Sequence, residues 1–571
     1  FLAEHGSSDP EAELTATVEA FLSAPAGDPD EHAQCRFPAR YAWLRTQLAW
    51  PDNAVEVACG RYRTWLGAER ITSISLVLGS GYLDNPSSSF GHVLLRFNSA
   101  RDEGPGDNLF DTTLNYGANY PHSENGLLYV VRGLTGQYRS TFTYLDYFQY
   151  DTRYSEEQLR DAWEYRLALS QAEVDFVVAH AWELMGAENR YFFLRQNCAY
   201  RMAELVSLVI DDALIPSSKI WAMPPDVFDR IADVDHNGEP LLREVVYHPS
   251  RQSRFRDRYF ALSAEERAEV RLYVNDPGAG AQSLSTRDVA SRSRVLDVLI
   301  DYYTYLEADP ATMTGDVRRA RNQLLVERMR LPAAQRAVLS TERLRAPHEG
   351  QNSSMVQISA VTNDARGEAF DIRFRATYYD YLSVSPATLP FSELSMGDVT
   401  LRVEDGDVEL HKFELLRVST LNISGTGLPN DGHKNAWRVR VGAEQADLAC
   451  DDSCLVAFAE GGYGRGWRTG SDSAVYAFAN ARLSDADETD ANAQAGASVG
   501  AIFGEPSSWR VHVEAGAWQP LNGEDDDVRP YLHAETRLGG TRGWDIRIAT
   551  NAHRIRGESV AETRVALGVY W

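Results

Sequence analysis

FDIRFRATY, residues 370–378, decides the fold of the C-terminal part of this chain. Phe370, Ile372, Phe374, Ala376 and Tyr378 fall on one face of an extended segment, and Asp371, Arg373, Arg375 and Thr377 on the other. Side chains alternate across a strand with a period of two, so such a stretch separates an apolar from a polar environment. The pattern recurs. Trp437, Val439, Val441 and Ala443 alternate with Arg438, Arg440 and Gly442; Trp509, Val511, Val513 and Ala515 alternate with Arg510, His512 and Glu514. Trp544, Ile546 and Ile548, then Val565, Leu567, Val569 and Trp571, repeat it to the last residue.

Alternation of this kind is shared by a soluble β-sandwich and a membrane barrel, and three features favour the barrel. The segments number about 12 and run roughly 9–11 residues, the length that crosses a bilayer at a tilt, and an even count is usual for bacterial barrels. The polar face carries Arg, Asp, Glu and His in mid-strand, which a polar lumen tolerates, while Trp and Tyr gather at strand ends where interfacial girdles lie. The chain closes on Trp571, an aromatic end that resembles the terminal signal of outer-membrane barrel proteins. Residues 351–571 are therefore expected to form a C-terminal antiparallel transmembrane β-barrel of about 12 strands.

Upstream, the texture differs. Residues 1–69 are acidic and then helical in pattern and read as a cap, and 251–350 read as a charged helical connecting region. Between them, 70–250 read as an α+β domain. ITSISLVLGS (71–80), SSSFGHVLLRF (87–97), NLFDTTLNYG (108–117) and GLLYVVRGL (126–134) look like strands, separated by turn-rich stretches. Helices are expected after Ser155, ahead of Leu159 and Trp163, and after Ser170, whose partner Glu173 completes a capping box. A third helix opens at Asn197 and runs CAYRMAELVSLVI.

Composition narrows the function. Lys plus Arg number 56 and Asp plus Glu 82, a net charge of −26 over 571 residues, the wrong sign for a nucleic-acid groove. No run of about 18 apolar residues offers a helical membrane span. The chain starts at Phe1 without Met or an apolar leader, as expected of a mature protein whose signal peptide has been removed. In an oxidising compartment, Cys35 with Cys59 and Cys450 with Cys454 can be bridged, leaving Cys198 as the free thiol among five cysteines. The four paired cysteines lack the clustered His that a metal site would need, so no metal is expected.

Asn197 is a natural N-cap, and Cys198 falls at the first helical position. Unsatisfied backbone N–H groups there favour thiolate and offer an oxyanion hole. Within residues 70–250 the histidines are His92, His122, His180, His236 and His248. His92 stands out, following Gly91 in a strand that would hold a base rigidly. The alternatives are a small buried thiol at Cys198 and a hydrogen-bonded core imidazole at His92. The run TYLDYFQYDTRY (143–154) reads as packing or as the lining of an acyl channel.

A strand His followed by a helix Cys reverses the chain order of papain. FGHVLLRF, LNYGA, GLTGQY, WEYRL, AHAWEL and YFFLRQNCAYR, over about residues 70–205, resemble the Lnb-type N-terminal periplasmic domain. That family is related to circularly permuted papain-like proteins and is similar to lecithin–retinol acyltransferases. The resemblance implies a permuted papain-like fold and acyl transfer without a cofactor, from a phospholipid donor to an amine acceptor such as the N-terminal cysteine of a lipoprotein. Carried onto this chain, it makes Cys198 the nucleophile and His92 the general base. A third group should orient the imidazole, with Asn115 the first choice and Asp111 and His180 behind it; Asn197 would serve the oxyanion site as helix N-cap. The expected setting is an outer-membrane barrel with its catalytic domain in the periplasm. A cell-wall amidase or endopeptidase of the same fold, and a non-catalytic pore or scaffold, are the competing readings.

Overall fold

A computed structural model describes the chain except residues 68–69, 82–90, 101–109, 122–123, 217–218, 220, 309–311, 333–344, 387, 424–425, 431–434, 451–453, 486–491, 523–526, 540–541 and 556. It divides into two compact units, residues 1–248 and 249–571. No helix among the described residues is long and apolar enough to cross a membrane.

The first unit is built on a seven-stranded sheet. Its strands are β1 (Ile71–Gly79), β2 (His92–Ser99), β3 (Thr112–Asn119), β4 (Tyr138–Asp146), β5 (Ala162–Leu167), β6 (Glu188–Tyr191) and β7 (Leu242–His248). Their spatial order is β6-β4-β3-β2-β1-β5-β7, every neighbour antiparallel. The central strands are covered on both faces: Ile74, Leu76, Val77, Leu78, Val93, Leu94 and Leu95 are all fully buried. Burying each such side chain stabilises the fold by about 1.5–3 kcal/mol, and this is why β1 and β2 read as continuous apolar runs. Helix Gln171–Glu183 starts at the Ser170–Glu173 capping box and buries Val174, Val177, Val178 and Ala181. Helix Cys198–Val206 buries Ala199, Met202, Ala203 and Val206. The cap belongs to the same unit: Trp182 Nε1 donates to the Cys35 carbonyl at 2.8 Å, and Glu183 accepts from the Arg40 amide at 2.8 Å. Cys35 is bonded to Cys59, with Cα atoms 5.1 Å apart.

Two local readings are corrected. Gly126–Leu134 is a helix, not a strand. Short apolar runs are ambiguous between the two, and here Gly133 lets the helix meet the Phe193 ring, where a Cβ would lie 2.3 Å from the ring edge. Conversely, Trp163 lies in β5 rather than on a helix after Ser155. Trp163, Tyr165 and Leu167 alternate with Glu164 and Arg166, and hydrogen bonding to β1 on one side and β7 on the other captures that alternation as a central strand.

In the second unit, helices Arg251–Ala261, Ala264–Asn275, Pro277–Ser285, Val289–Ala308 and Gly315–Met329 precede a closed barrel of twelve strands, Met355–Asn363 through Glu558–Tyr570. Each strand pairs with the next, and the last pairs with the first, Met355 opposite Tyr570. The strands run from 9 to 14 residues, longer at the upper end than the sequence pattern indicates. Their polarity is inverted relative to a soluble core: Phe370 is 60% exposed and Ile358 59%, while Asp371 and Arg402 are each 1% exposed. An apolar exterior around a charged interior is the arrangement of a barrel solvated by lipid.

The lumen is crossed by ion pairs. Arg438 reaches Glu514, four strands away in the order, at 2.8 Å; Arg402 links Asp371 at 2.8 Å and Glu562 at 2.7 Å; Arg547 meets Asp380 at 2.6 Å. Between the fifth and sixth barrel strands, Cys450 is bonded to Cys454, and the residues just before them reach other strands of the barrel. There Asp447 pairs with His553 at 2.9 Å, and the Leu448 carbonyl accepts from Asn363 at 3.0 Å. What remains is a cavity of about 390 Å³ lined by both signs of charge.

Candidate active site

β1 and β2 meet at Gly79 and His92, which are directly paired. The residue before His92, Gly91, has φ +105°, and a Cβ there would lie 2.7 Å from the Gly79 carbonyl oxygen, so only glycine brings the chain into β2 this way. His92 is thus the first residue of β2. The β2–β3 register, Leu95 opposite Leu114, puts Asn115 diagonally across from His92 on the same face. His92 Nε2 lies 3.4 Å from Asn115 Oδ1, and Asn115 Nδ2 donates to Thr113 Oγ1 at 3.3 Å, which orients the amide.

Cys198 opens its helix as the sequence indicates. Asn197 caps it, its Oδ1 accepting from the Tyr200 amide at 3.1 Å. The Asn197 Nδ2 donates to the carbonyls of Phe193 at 3.0 Å and Ala222 at 2.6 Å, so this side chain is committed to the loop and has no donor left for an oxyanion. The Cys198 thiol, 4% exposed, is met by the backbone amides of Val93 and Ala199 and by the Tyr191 hydroxyl. Two N–H groups from separate elements therefore converge on the sulfur, one of them from the residue after His92. The expected thiolate preference is reversed in the resting protein: burial pushes the thiol up, and the amides, Tyr191 and the Arg160 charge only partly oppose it.

His92 is pushed down to about 4, first by desolvation and then by the charge of Arg160. A folded value below the ordinary 6.5 means that the unfolded chain binds the proton more tightly. The stability contributed by neutral His92 is complete above about pH 6.5 and is lost as pH falls toward 4. Thermal unfolding of the wild type should accordingly lose more between pH 7 and 5 than that of His92→Asn; equal losses would contradict a desolvated neutral imidazole.

The other nominated groups lie elsewhere. Asp111, a candidate orienting group, is sealed into an ion network: its Oδ2 receives Arg96 at 2.6 Å and its Oδ1 the Ser99 hydroxyl at 2.8 Å. Arg96 reaches on to Glu164 at 2.8 Å, and Glu164 holds His248 at 2.9 Å. His180 pairs with Glu183 at 2.8 Å against the cap, and His236 with Glu173 at 2.9 Å. His122 lies outside the described residues. The structure pairs His92 with Asn115, sets the Cys198 thiol against the amide of Val93, the residue after His92, and leaves Asp111 and His180 in other networks.

Tyr154, the last residue of the Tyr-rich run, and Arg160, which the sequence did not single out, complete the corner. The Tyr154 ring stacks on His92, centroids 5.5 Å apart and planes within 1°, and Arg160 lies 4.9 Å above Tyr154. Tyr154 is delivered by a π-helical turn, Thr152–Glu157, a feature frequent at functional sites. Leu159, between them and Arg160, has φ +58°, a strained setting for a branched side chain. The Tyr-rich run is otherwise core: Tyr147 and Tyr150 pack with Val77, Leu94 and Ala162.

Fold and site together define a thiol-bearing α+β domain carried on a transmembrane barrel. Residues 61–232 match the family model of the Lnb N-terminal periplasmic domain. Residues 345–570 and 1–47 each match a domain of unknown function (DUF7840 and DUF7843). No curated protein matches the chain. Among solved structures, the chain is similar to the NanC porin (6% identity, TM-score 0.26, 38% of this chain and 100% of that one). It is also similar to the KdgM porin in complex with disordered oligogalacturonate (6%, 0.24, 38% and 99%) and to LpxR from Salmonella typhimurium (8%, 0.23, 38% and 100%). The chain is an outer-membrane protein with a periplasmic domain.

Proposed function

We propose that the periplasmic domain is a thiol acyltransferase that takes an acyl chain from phospholipid and passes it to an amine, the N-terminal cysteine of a lipoprotein being the acceptor the family resemblance suggests. The observation that carries the reading is a free cysteine at a helix start, set against the amide next to His92, in a segment that matches the Lnb N-terminal periplasmic domain. The Cys198 sulfur attacks the ester carbonyl as His92 takes its proton. The tetrahedral oxyanion is held by backbone N–H groups, and its collapse expels the lysophospholipid alkoxide, which recovers the proton from His92. The acceptor amine then attacks the thioester, His92 accepts its proton, and the thiol is restored. The barrel supports this reading, because anchoring the domain to a membrane raises the effective concentration of lipid donor.

The deciding experiment incubates the protein in liposomes of phospholipid with a labelled acyl chain and follows intact mass. A hydroxylamine-sensitive acyl adduct with release of lysophospholipid is expected. Folded protein that forms neither on any lipid, yet cleaves cell-wall peptides, would move the site to an amidase.

The contents of the lumen argue against the competing pore reading. Selective pores carry an excess of one sign along an open path, whereas here both signs pair across the interior. In planar bilayers the purified protein should show no porin-sized conductance steps; steady ohmic steps would overturn the anchoring role.

A further inference from the structure

We infer that Arg160 and Tyr154 are positioning residues for the Cys198–His92 pair: their stack fixes the plane of the imidazole and sets a buried positive charge beside the reacting atoms. The inference rests on Cys198 and His92 being the reacting pair, and it deepens that reading by naming what controls their proton.

The geometry is a short ladder. Arg160, 3% exposed, is pinned by its Nε to the Ser80 carbonyl at 2.7 Å and by its Nη2 to the Gly79 carbonyl at 3.1 Å, and Gly79 is the residue paired with His92 across the sheet. Its Nη1 donates to Gln158 at 3.3 Å. The guanidinium lies over Tyr154, which is sandwiched by His92 on one side and contacts Tyr150 at 4.3 Å. An imidazole hydrogen-bonded at one nitrogen can still pivot about that bond; stacking on a ring that is itself held by a cation removes the pivot.

The charge acts on both partners in the direction acyl transfer needs. The groups that bear on the pair are Arg153, Tyr154 and Arg160 from the turn, Asn115 from β3, Tyr191 from β6, and the backbone amides of Val93 and Ala199. Arg160 disfavours imidazolium at His92 and favours thiolate at Cys198. It therefore opposes the cost that burial imposes on the nucleophile while keeping the base able to accept a proton. The π-helical turn and the left-handed Leu159 give the backbone a reason for its strain: they swing Tyr154 and Arg160 onto the end of the sheet.

The test reads the thiol directly in the full-length protein. Thiolate absorbance near 240 nm is followed against pH, with Cys198→Ser as the blank, since the other four cysteines are bonded. Arg160→Gln should raise the midpoint of Cys198 ionisation by about one pH unit, and Arg160→Lys should return it toward wild type. Tyr154→Phe should preserve the rate of acyl-adduct formation and Tyr154→Leu should lower it roughly tenfold at an unchanged thiol midpoint. Arg160→Gln that folds with an unchanged midpoint overturns the charge role. If Arg160→Gln fails to fold, an Arg160→Lys midpoint displaced as far as a full unit overturns it instead. Equal rates for Tyr154→Leu and wild type overturn the positioning role. A shifted midpoint in Arg160→Gln together with no adduct in wild type would uphold the charge role and overturn the acyl-transfer reading, so the two failures are separable.

Discussion

Cys198→Ala is expected to abolish the acyl adduct and to lower turnover at least about 10³-fold, to the background left by binding and the backbone donors. His92→Ala should cost on the order of 10²–10⁴-fold, the usual worth of a positioned general base. The double variant should be scarcely worse than either single one, because nucleophile and base act as a unit. The effect comes without loss of the fold: Cys198 is a small side chain at a helix start, and its helix keeps the Asn197 cap and the buried Ala199, Met202 and Ala203. Initial rates of labelled acyl release by wild type and the three variants, with circular dichroism as the control on folding, decide the matter. Full activity in Cys198→Ala would remove the chemistry from this site.

The largest effect on stability belongs to the Arg96 network. Arg96, Asp111 and Glu164 have essentially no exposed side-chain surface, and Arg96 also lies 4.4 Å over the Tyr147 ring. Removing one partner of a buried ion pair leaves its charge desolvated and unmatched, which costs about 3–5 kcal/mol. Arg96→Ala strands two carboxylates at once and belongs at the upper end of that range. For a unit of this size the melting temperature should fall by roughly 10 °C, while Arg96→Met, which keeps the packing of the stem, should recover part of it. Asp111→Asn separates structure from catalysis: it should lower the first melting transition yet leave activity per folded molecule unchanged. A stable but inactive Asp111→Asn would return Asp111 to the site.

How much of this was legible in the sequence depends on how local each feature is. The barrel was readable because period-two alternation needs no distant partner, and charged residues on the second face signalled a polar lumen even before closure was known. The Asn197–Cys198 helix start was readable because a cap is made within three residues, as were the pairings of Cys35 with Cys59 and Cys450 with Cys454. The two missed elements failed for a related reason. GLLYVVRGL is too short for its period to discriminate, and AWEYRL is a six-residue alternation that follows a helix-capping pattern at Ser155 and Gln158.

The sequence by itself determined the inside-out polarity of the barrel, the isolated thiol at a helix start and the strand histidine after a glycine, since each is written in residues a few positions apart. Only the tertiary structure set Asn115 beside His92 and Asp111 away from it, because that placement rests on the β2–β3 register and on the Arg96 that claims Asp111. It also decided the direction of the Cys198 shift, since desolvation comes from the whole surrounding shell and outweighs a helix terminus. The Tyr154–Arg160 ladder lies 38 residues and more before Cys198 and reaches it through a turn whose strained backbone has no local sequence signature. Register, burial and approach are set by partners far along the chain, and for that reason they had to be seen in the folded protein.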